Sequence, residues 1–157
     1  MAPGGEEHGK RYPITQIASR FHENHAKMAR DLRLLGEAED VEQIRVIADE
    51  LPELLKEHFD EEERPGGLFD ELESLRPVID SQLKFMRQEH REIMETLEGL
   101  RRQFQEADVV TNVGELEQRH DHIRVSTAAF VQLIRHHELV EARLVTDTYY
   151  TEDGGSG

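Results

Sequence analysis

Residues 56–69 read KEHFDEEERPGGLF. Inside this acidic run His58 and Glu62 stand four residues apart, which stacks them on one face of a helix. They also continue an apolar stripe, Ile44, Ile47, Leu51 and Leu55, whose spacing of three or four is that of a core-facing helix. An imidazole and a carboxylate therefore occupy the next inward positions. Asp40 is placed to cap the start of this helix. Pro52 should kink it without ending it, because the stripe continues in phase. RPGG at 64–67 breaks it, and LFDELESL at 68–75 reads as a short helical turn. Two inward polar groups are either a solvated helix end or metal ligands, and the rest of the chain decides between them.

Three further stripes flank this one. The first helix, about 14–35, carries Ile14, Ile17, Phe21, His25, Met28, Leu32 and Leu35, with Gly36 as a stop signal. The third runs through Ile79, Leu83, Met86, His90, Ile93, Leu97, Leu100 and Phe104. The fourth runs through Leu116, His120, Ile123, Thr127, Phe130, Ile134, His137, Glu141 and Leu144. Four such helices joined by short loops describe an all-α fold, an antiparallel up-down-up-down four-helix bundle. The bundle spans 13–148. Residues 1–12 are expected to form a flexible N-terminus and 149–157 a flexible C-terminal tail.

Composition narrows the chemistry. The chain of 157 residues is the size of one domain and contains no cysteine, so any metal must be held by histidine and carboxylate. A formal charge of -15 argues against nucleic acid and anionic membranes as partners. No apolar run approaches the roughly 20 residues that span a bilayer, and MAPGGEEHGK at the start has no apolar segment of a secretory signal. A soluble, cytoplasmic protein is expected. Nine histidines are an excess for such a domain.

Those histidines fall into register. His25, His58, His90 and His137 all lie on inward stripes, and the alternation of helix direction brings them to one layer of the core. Glu62 and Glu141 each follow a histidine at the fourth residue in the second and fourth helices. A lone histidine on an apolar face is more often a core residue with a hydrogen-bonding partner. Four imidazoles and two carboxylates in one layer would be costly without a cation, at several kcal/mol for each unpaired buried ion. Imidazole with bridging carboxylate suits iron or manganese, and two shared carboxylates suit a pair of metals. His120 lies 17 residues before His137, about 25 Å at 1.5 Å per residue, too far to join them. His122 and His8 read as exposed, and the other glutamates around Glu62 as a solvated face. Tyr149 and Tyr150 either fold over the site's end of the bundle or hang in the tail.

One histidine on the first helix, HFDEE (58–62) on the second, EH (89–90) on the third and HELVE (137–141) on the fourth resemble the hemerythrin-like domains over residues 14–148. HHELVEARLVTDTYYTEDGG also resembles the end of a bacterial branch of that family. The resemblance implies two non-heme Fe ions with bridging carboxylates and an oxo or hydroxo bridge. Its members bind dioxygen, sense oxygen or iron, or react with peroxide or nitric oxide. His25, His58, Glu62, His90, His137 and Glu141 are the metal ligands it implies, with His25 preferred over His22 by phase. One departure stands out: Met94 occupies the place of the family's second histidine on the third helix, and His22, Glu61, Glu138 or His136 is left to complete the coordination. A ferritin-like site would need paired Glu-x-x-His motifs, of which only Glu117 with His120 is present. The expected function is a di-iron protein that binds dioxygen, nitric oxide or iron for sensing or storage. A di-iron enzyme acting on peroxide or nitric oxide, and a metal-free helical interaction module, are the alternatives.

Overall fold

The computed structural model describes the backbone of residues 14–153 and the side chains of residues 26–150. The N-terminal segment 1–12, with His8, lies outside the described residues, as do the side chains of His22 and His25. The chain forms α1 (Ile14–Glu37), α2 (Val41–Glu63), the short α3 (Leu68–Leu75), a 3-10 turn (Pro77–Ile79), α4 (Asp80–Asp108) and α5 (Val113–Asp153). Among the described residues every regular element is helical, and the four long helices form the bundle that the stripes describe. α2 and α4 run antiparallel, with Arg45 near the start of α2 bonded to Asp108 at the end of α4. The same holds for α4 and α5, where Gln103 donates to Ser126 at one level and His137 meets Glu89 at another. α1 returns along α5, its Gly36 beside Val131 and Arg135 and the carbonyl of Glu39 accepting from Arg124.

Local chemistry agrees with these boundaries. Asp40 caps α2 by accepting the Glu42 amide at 3.0 Å. Pro52 sits inside α2 without ending it, as the unbroken stripe requires. α5 continues through Thr148, Tyr149 and Tyr150 to Asp153, past the boundary at 148 where the stripe stops. Thr148 is buried and Tyr149 packs against apolar side chains, whereas Tyr150 is exposed.

The core is divided into two apolar clusters, and that division positions the site. The larger includes Met28, Leu32, Ile44, Leu55, Phe59, Ile93, Leu97, Phe130 and Ile134. The smaller joins Leu68, Phe69 and Leu72 of α3 to Ile79, Leu83, Met86, Leu144 and Val145. On α4, His90 falls between Met86 of one cluster and Ile93 of the other; on α5, His137 and Glu141 fall between Ile134 and Leu144. The polar layer is thus closed from below by the bundle core and from above by α3.

The RPGG loop makes that lid follow immediately after α2. Gly66 has φ of 74°, a left-handed conformation that favours glycine. A Cβ on Gly67 would lie 2.5 Å from the carbonyl oxygen of Glu61 and 2.8 Å from that of Arg64, so only glycine lets the chain fold back this tightly. Sequence alone assigns this segment a turn; the structure gives it the apolar roof of the site.

Candidate metal centre

α2 delivers His58 and Glu62, α4 delivers His90, and α5 delivers His137 and Glu141. All five are buried, with Glu141 and His137 at 0% exposure. Their ligand atoms form two groups compact enough to hold a cation each: His58, Glu62 and Glu141, and His90, His137 and Glu141. Glu141 belongs to both. Glu62 also spans the two halves, with one oxygen in contact with His58 Nε2 and the other 3.8 Å from His90 Nε2. His137 Nε2 lies 3.2 Å from Glu141.

The imidazoles are aimed at this centre by carboxylates behind them. His90 Nδ1 donates to Glu63 Oε2 at 3.1 Å, and His137 Nδ1 donates to Glu89 Oε1 at 3.1 Å. With each Nδ1 engaged, Nε2 is the nitrogen turned towards Glu62 and Glu141, the arrangement in which an outer carboxylate orients a metal-binding histidine. His90 is held further by stacking. The Phe59 ring lies on it at 3.9 Å and 10°, and Phe69 of α3 covers the other side at 5.5 Å and 19°. Arg87 in turn sits over Phe69 at 5.4 Å and 4.0 Å from Glu63.

The electrostatics of these five residues call for a positive charge. Despite these close contacts, no hydrogen bond of good geometry reaches the carboxylate oxygens of Glu62 and Glu141 or the Nε2 atoms of His90 and His137. Buried acceptors facing acceptors are strongly unfavourable unless a cation or a proton lies between them. Burial, then the neighbouring Glu141 charge, pushes the Glu62 carboxyl well above the usual range. Burial also acts to raise Glu141, but the Glu62 carboxyl and the His137 imidazole beside it outweigh that and hold it down at about 2. Burial would lower His137, yet the Glu141 and Glu89 carboxylates on either side of its ring raise it overall. Burial and the adjacent His137 push His90 down to about 3. Burial and Glu141 push Glu138 up to about 7. Both shifts favour the protonated forms of Glu62 and His137, which reduce the negative charge of the cluster in the direction a cation would.

The sequence matches the family described as Hemerythrin HHE cation binding domain over residues 16–147. The chain belongs to the hemerythrin family. Comparison with curated proteins and with solved structures returned no significant match. Buried oxygens without donors, imidazoles oriented from behind and one carboxylate common to two ligand groups fit the metal-binding character of that family.

Of the hemerythrin ligands expected from sequence, the structure brings together His58, Glu62, His90, His137 and Glu141. The sixth, His25, lies on α1 but outside the described side chains. His120 is half-buried and belongs to neither ligand group, and His122 and His136 are exposed. Met94 packs with the larger apolar cluster. Glu63 corrects one expectation: sequence assigns it to a solvated face, whereas it is half-buried and holds His90. Glu89 and the two phenylalanines were given no role by sequence. The only signal for Glu89 is its place beside His90, about 100° around the helix.

The protons define a pH dependence. Both His137 and Glu62 are shifted towards holding a proton, so a metal competes with protons at both. His90 is neutral down to about 3 and does not compete. Metal affinity should therefore fall as pH drops through the raised His137 value and fall further through that of Glu62. Isothermal titration in buffers of different ionisation enthalpy should detect proton release on binding at neutral pH. Affinity unchanged between pH 8 and pH 5 would show that these groups carry no proton in the metal-free site.

Proposed function

We propose that this hemerythrin-family chain is a cytoplasmic di-iron protein that binds dioxygen, nitric oxide or iron itself for sensing or storage. The observation that carries the reading is Glu141, buried and common to both ligand groups, which supplies the shared carboxylate that a pair of metals needs. His58 and Glu62 would hold one iron and His90 and His137 the other, with an oxo or hydroxo bridge between them. Two such irons supply redox change and open coordination positions for a small ligand.

The surroundings favour binding of small species over turnover of larger ones. α3 with Phe69 closes the end of the bundle, and the larger apolar cluster closes the other side. Beside His58 there is a cavity of about 60 Å³ lined by Lys27, Met28, Leu54, Glu57, His58 and Glu61. At roughly 30 Å³ for each water, it admits a diatomic, a peroxide or a hydrated ion's leading waters. Such a cavity also suits the second reading, an enzyme acting on peroxide or nitric oxide.

Iron analysis with an optical spectrum of protein from iron-supplemented cells tests the proposal. About two irons per chain and near-ultraviolet ferric charge-transfer bands are expected. Stoichiometric, reversible change with dioxygen or nitric oxide supports binding, and many turnovers with hydrogen peroxide support the enzyme. A single zinc per chain without iron would sink both.

A further inference from the structure

The acidic charge of this chain is not spread evenly. α2 exposes Glu42, Asp49, Glu50, Glu53, Glu57 and Asp60, with only Arg45 and Lys56 to set against them. α1 packs on α2 and α5, α2 on α4, and α4 on α5. The outer face of the α4 and α5 pair is therefore the one turned away from α1 and α2. At the lid end of that face the charges balance: Asp80 pairs with Lys84 at 3.1 Å, and Arg143 and Asp147, one turn apart, add one charge of each sign.

The same stretch is apolar. Phe85 and Met86 of α4 and Val140 and Leu144 of α5 line a groove of about 320 Å³, room for roughly ten waters. Met86 and Leu144 are its buried floor, and Phe85 stands exposed beside them. Val78, in the turn that leads into α4, and Leu139 and Tyr150, four before and seven after Arg143 on α5, extend the face, and all three are exposed. Among the described residues the two exposed aromatic rings, Phe85 and Tyr150, are both here. Exposed rings and aliphatic side chains on one neutral face have the composition of a contact surface.

We propose that this face joins two copies of the chain about a two-fold axis, with Phe85 of each copy seated in the groove of the other. A two-fold contact needs a surface complementary to itself. The groove has that property: it offers an apolar floor with an exposed ring to fill it, and one cation beside one anion, so that Arg143 of one copy meets Asp147 of the second copy. A strongly basic or acidic partner would find no net charge here to select it. The charge of -15 on each copy opposes association. The acids of α2, however, lie about 10 Å further back, one helix diameter, beyond the screening length of about 8 Å at physiological salt. α5 runs only about 17 Å from Leu139 to Tyr150, which puts the contact at the small end of specific interfaces, so the dimer dissociates on dilution. In dilute unfolding experiments the chain is monomeric and Phe85 counts as an exposed residue. The metal takes no part in the contact, and the inference stands apart from the di-iron reading.

Sedimentation velocity of the full chain from micromolar to millimolar concentration, metal-free and iron-loaded, tests it. Wild type should pass from monomer to dimer in both states. Phe85→Asp should weaken association at least about thirtyfold, as loss of a central aromatic anchor does, and Leu139→Asp, on the other helix of the face, should act in the same direction. Val46→Asp, which adds the same charge to an exposed position on α2, should associate as wild type does. Arg143→Asp should weaken the dimer, and combining it with Asp147→Arg should recover it. Circular dichroism should be the same for all, since each substituted side chain is exposed. Wild type that stays monomeric to millimolar concentration overturns the inference and leaves the groove to a different partner. Undiminished association in Phe85→Asp and Leu139→Asp overturns it by placing the contact elsewhere. Equal losses in Phe85→Asp and Val46→Asp would make the effect one of charge alone and overturn it too. A double exchange no better than Arg143→Asp by itself overturns the two-fold arrangement.

Discussion

On the proposed di-iron reading, Glu141→Ala is expected to abolish retention of both irons, where loss of any other described ligand should spare one in part. Glu141 is the common member of the two ligand groups, and its removal leaves each half with two donors. Glu62 belongs to one group and reaches the other only at 3.8 Å, so Glu62→Ala should strip the His58 iron and weaken the second. The stability consequence follows from mass action. A ligand present at 1,000 times its dissociation constant stabilises the folded chain by about 4 kcal/mol. At about 2–4 °C per kcal/mol for a chain of this size, the melting point of iron-loaded wild type should lie roughly 10 °C above that of Glu141→Ala. Chelator should lower wild type towards the variant and leave the variant where it is. His120→Ala, outside both groups, should match wild type in iron content. Glu141→Ala that still holds two irons would show that the carboxylate is not shared.

Most of the bundle was legible because its information is periodic. Leu83, Met86, His90, Ile93, Leu97, Leu100 and Phe104 were assigned inward from spacing, and all are buried. The same arithmetic brings His58, His90 and His137 to one level, since the rise per residue is fixed and the loops are short. What periodicity cannot see is who stands behind a ligand. Glu63 and Glu89 are adjacent in sequence to Glu62 and His90, but each lies about 100° off the stripe among other acidic residues. Nothing in their type separates them from solvated neighbours such as Asp60 and Glu92. Their role arises only when α4 sets His90 against the end of α2, and α5 sets His137 against α4. The lid was hidden for another reason: a Gly-Gly pair announces a turn, not the direction in which the following helix departs. That direction comes from Gly67, packed against the carbonyls of Glu61 and Arg64. Tyr149, undecided from sequence, packs with the cluster under α3 because α5 continues past the stripe.

Phe59 is the clearest case of a residue that sequence leaves among polar neighbours and the structure places at the centre. Its ring is 3% exposed, stacks on His90 and meets the edge of His137 at 6.0 Å. It therefore contributes both to the larger apolar cluster and to the fixed orientation of an imidazole on another helix. Phe59→Ala should destabilise the metal-free protein by about 3–5 kcal/mol, the usual cost of deleting a buried phenylalanine with partial collapse around the cavity. That is a large share of the 5–15 kcal/mol that holds a typical domain folded. Phe85, 59% exposed on α4, is the matched comparison, and Phe85→Ala should stay within about 0.5 kcal/mol of wild type. Denaturant unfolding of the three metal-free proteins reads this packing term without any contribution from iron. Iron should then stabilise Phe59→Ala less than it stabilises Phe85→Ala, because His90 is no longer held flat against a ring and must be ordered by the metal itself. Equal unfolding midpoints for the two variants would mean that Phe59 is not part of the core. A large loss of stability with undiminished stabilisation by iron would mean that Glu63 alone is enough to hold His90 in place.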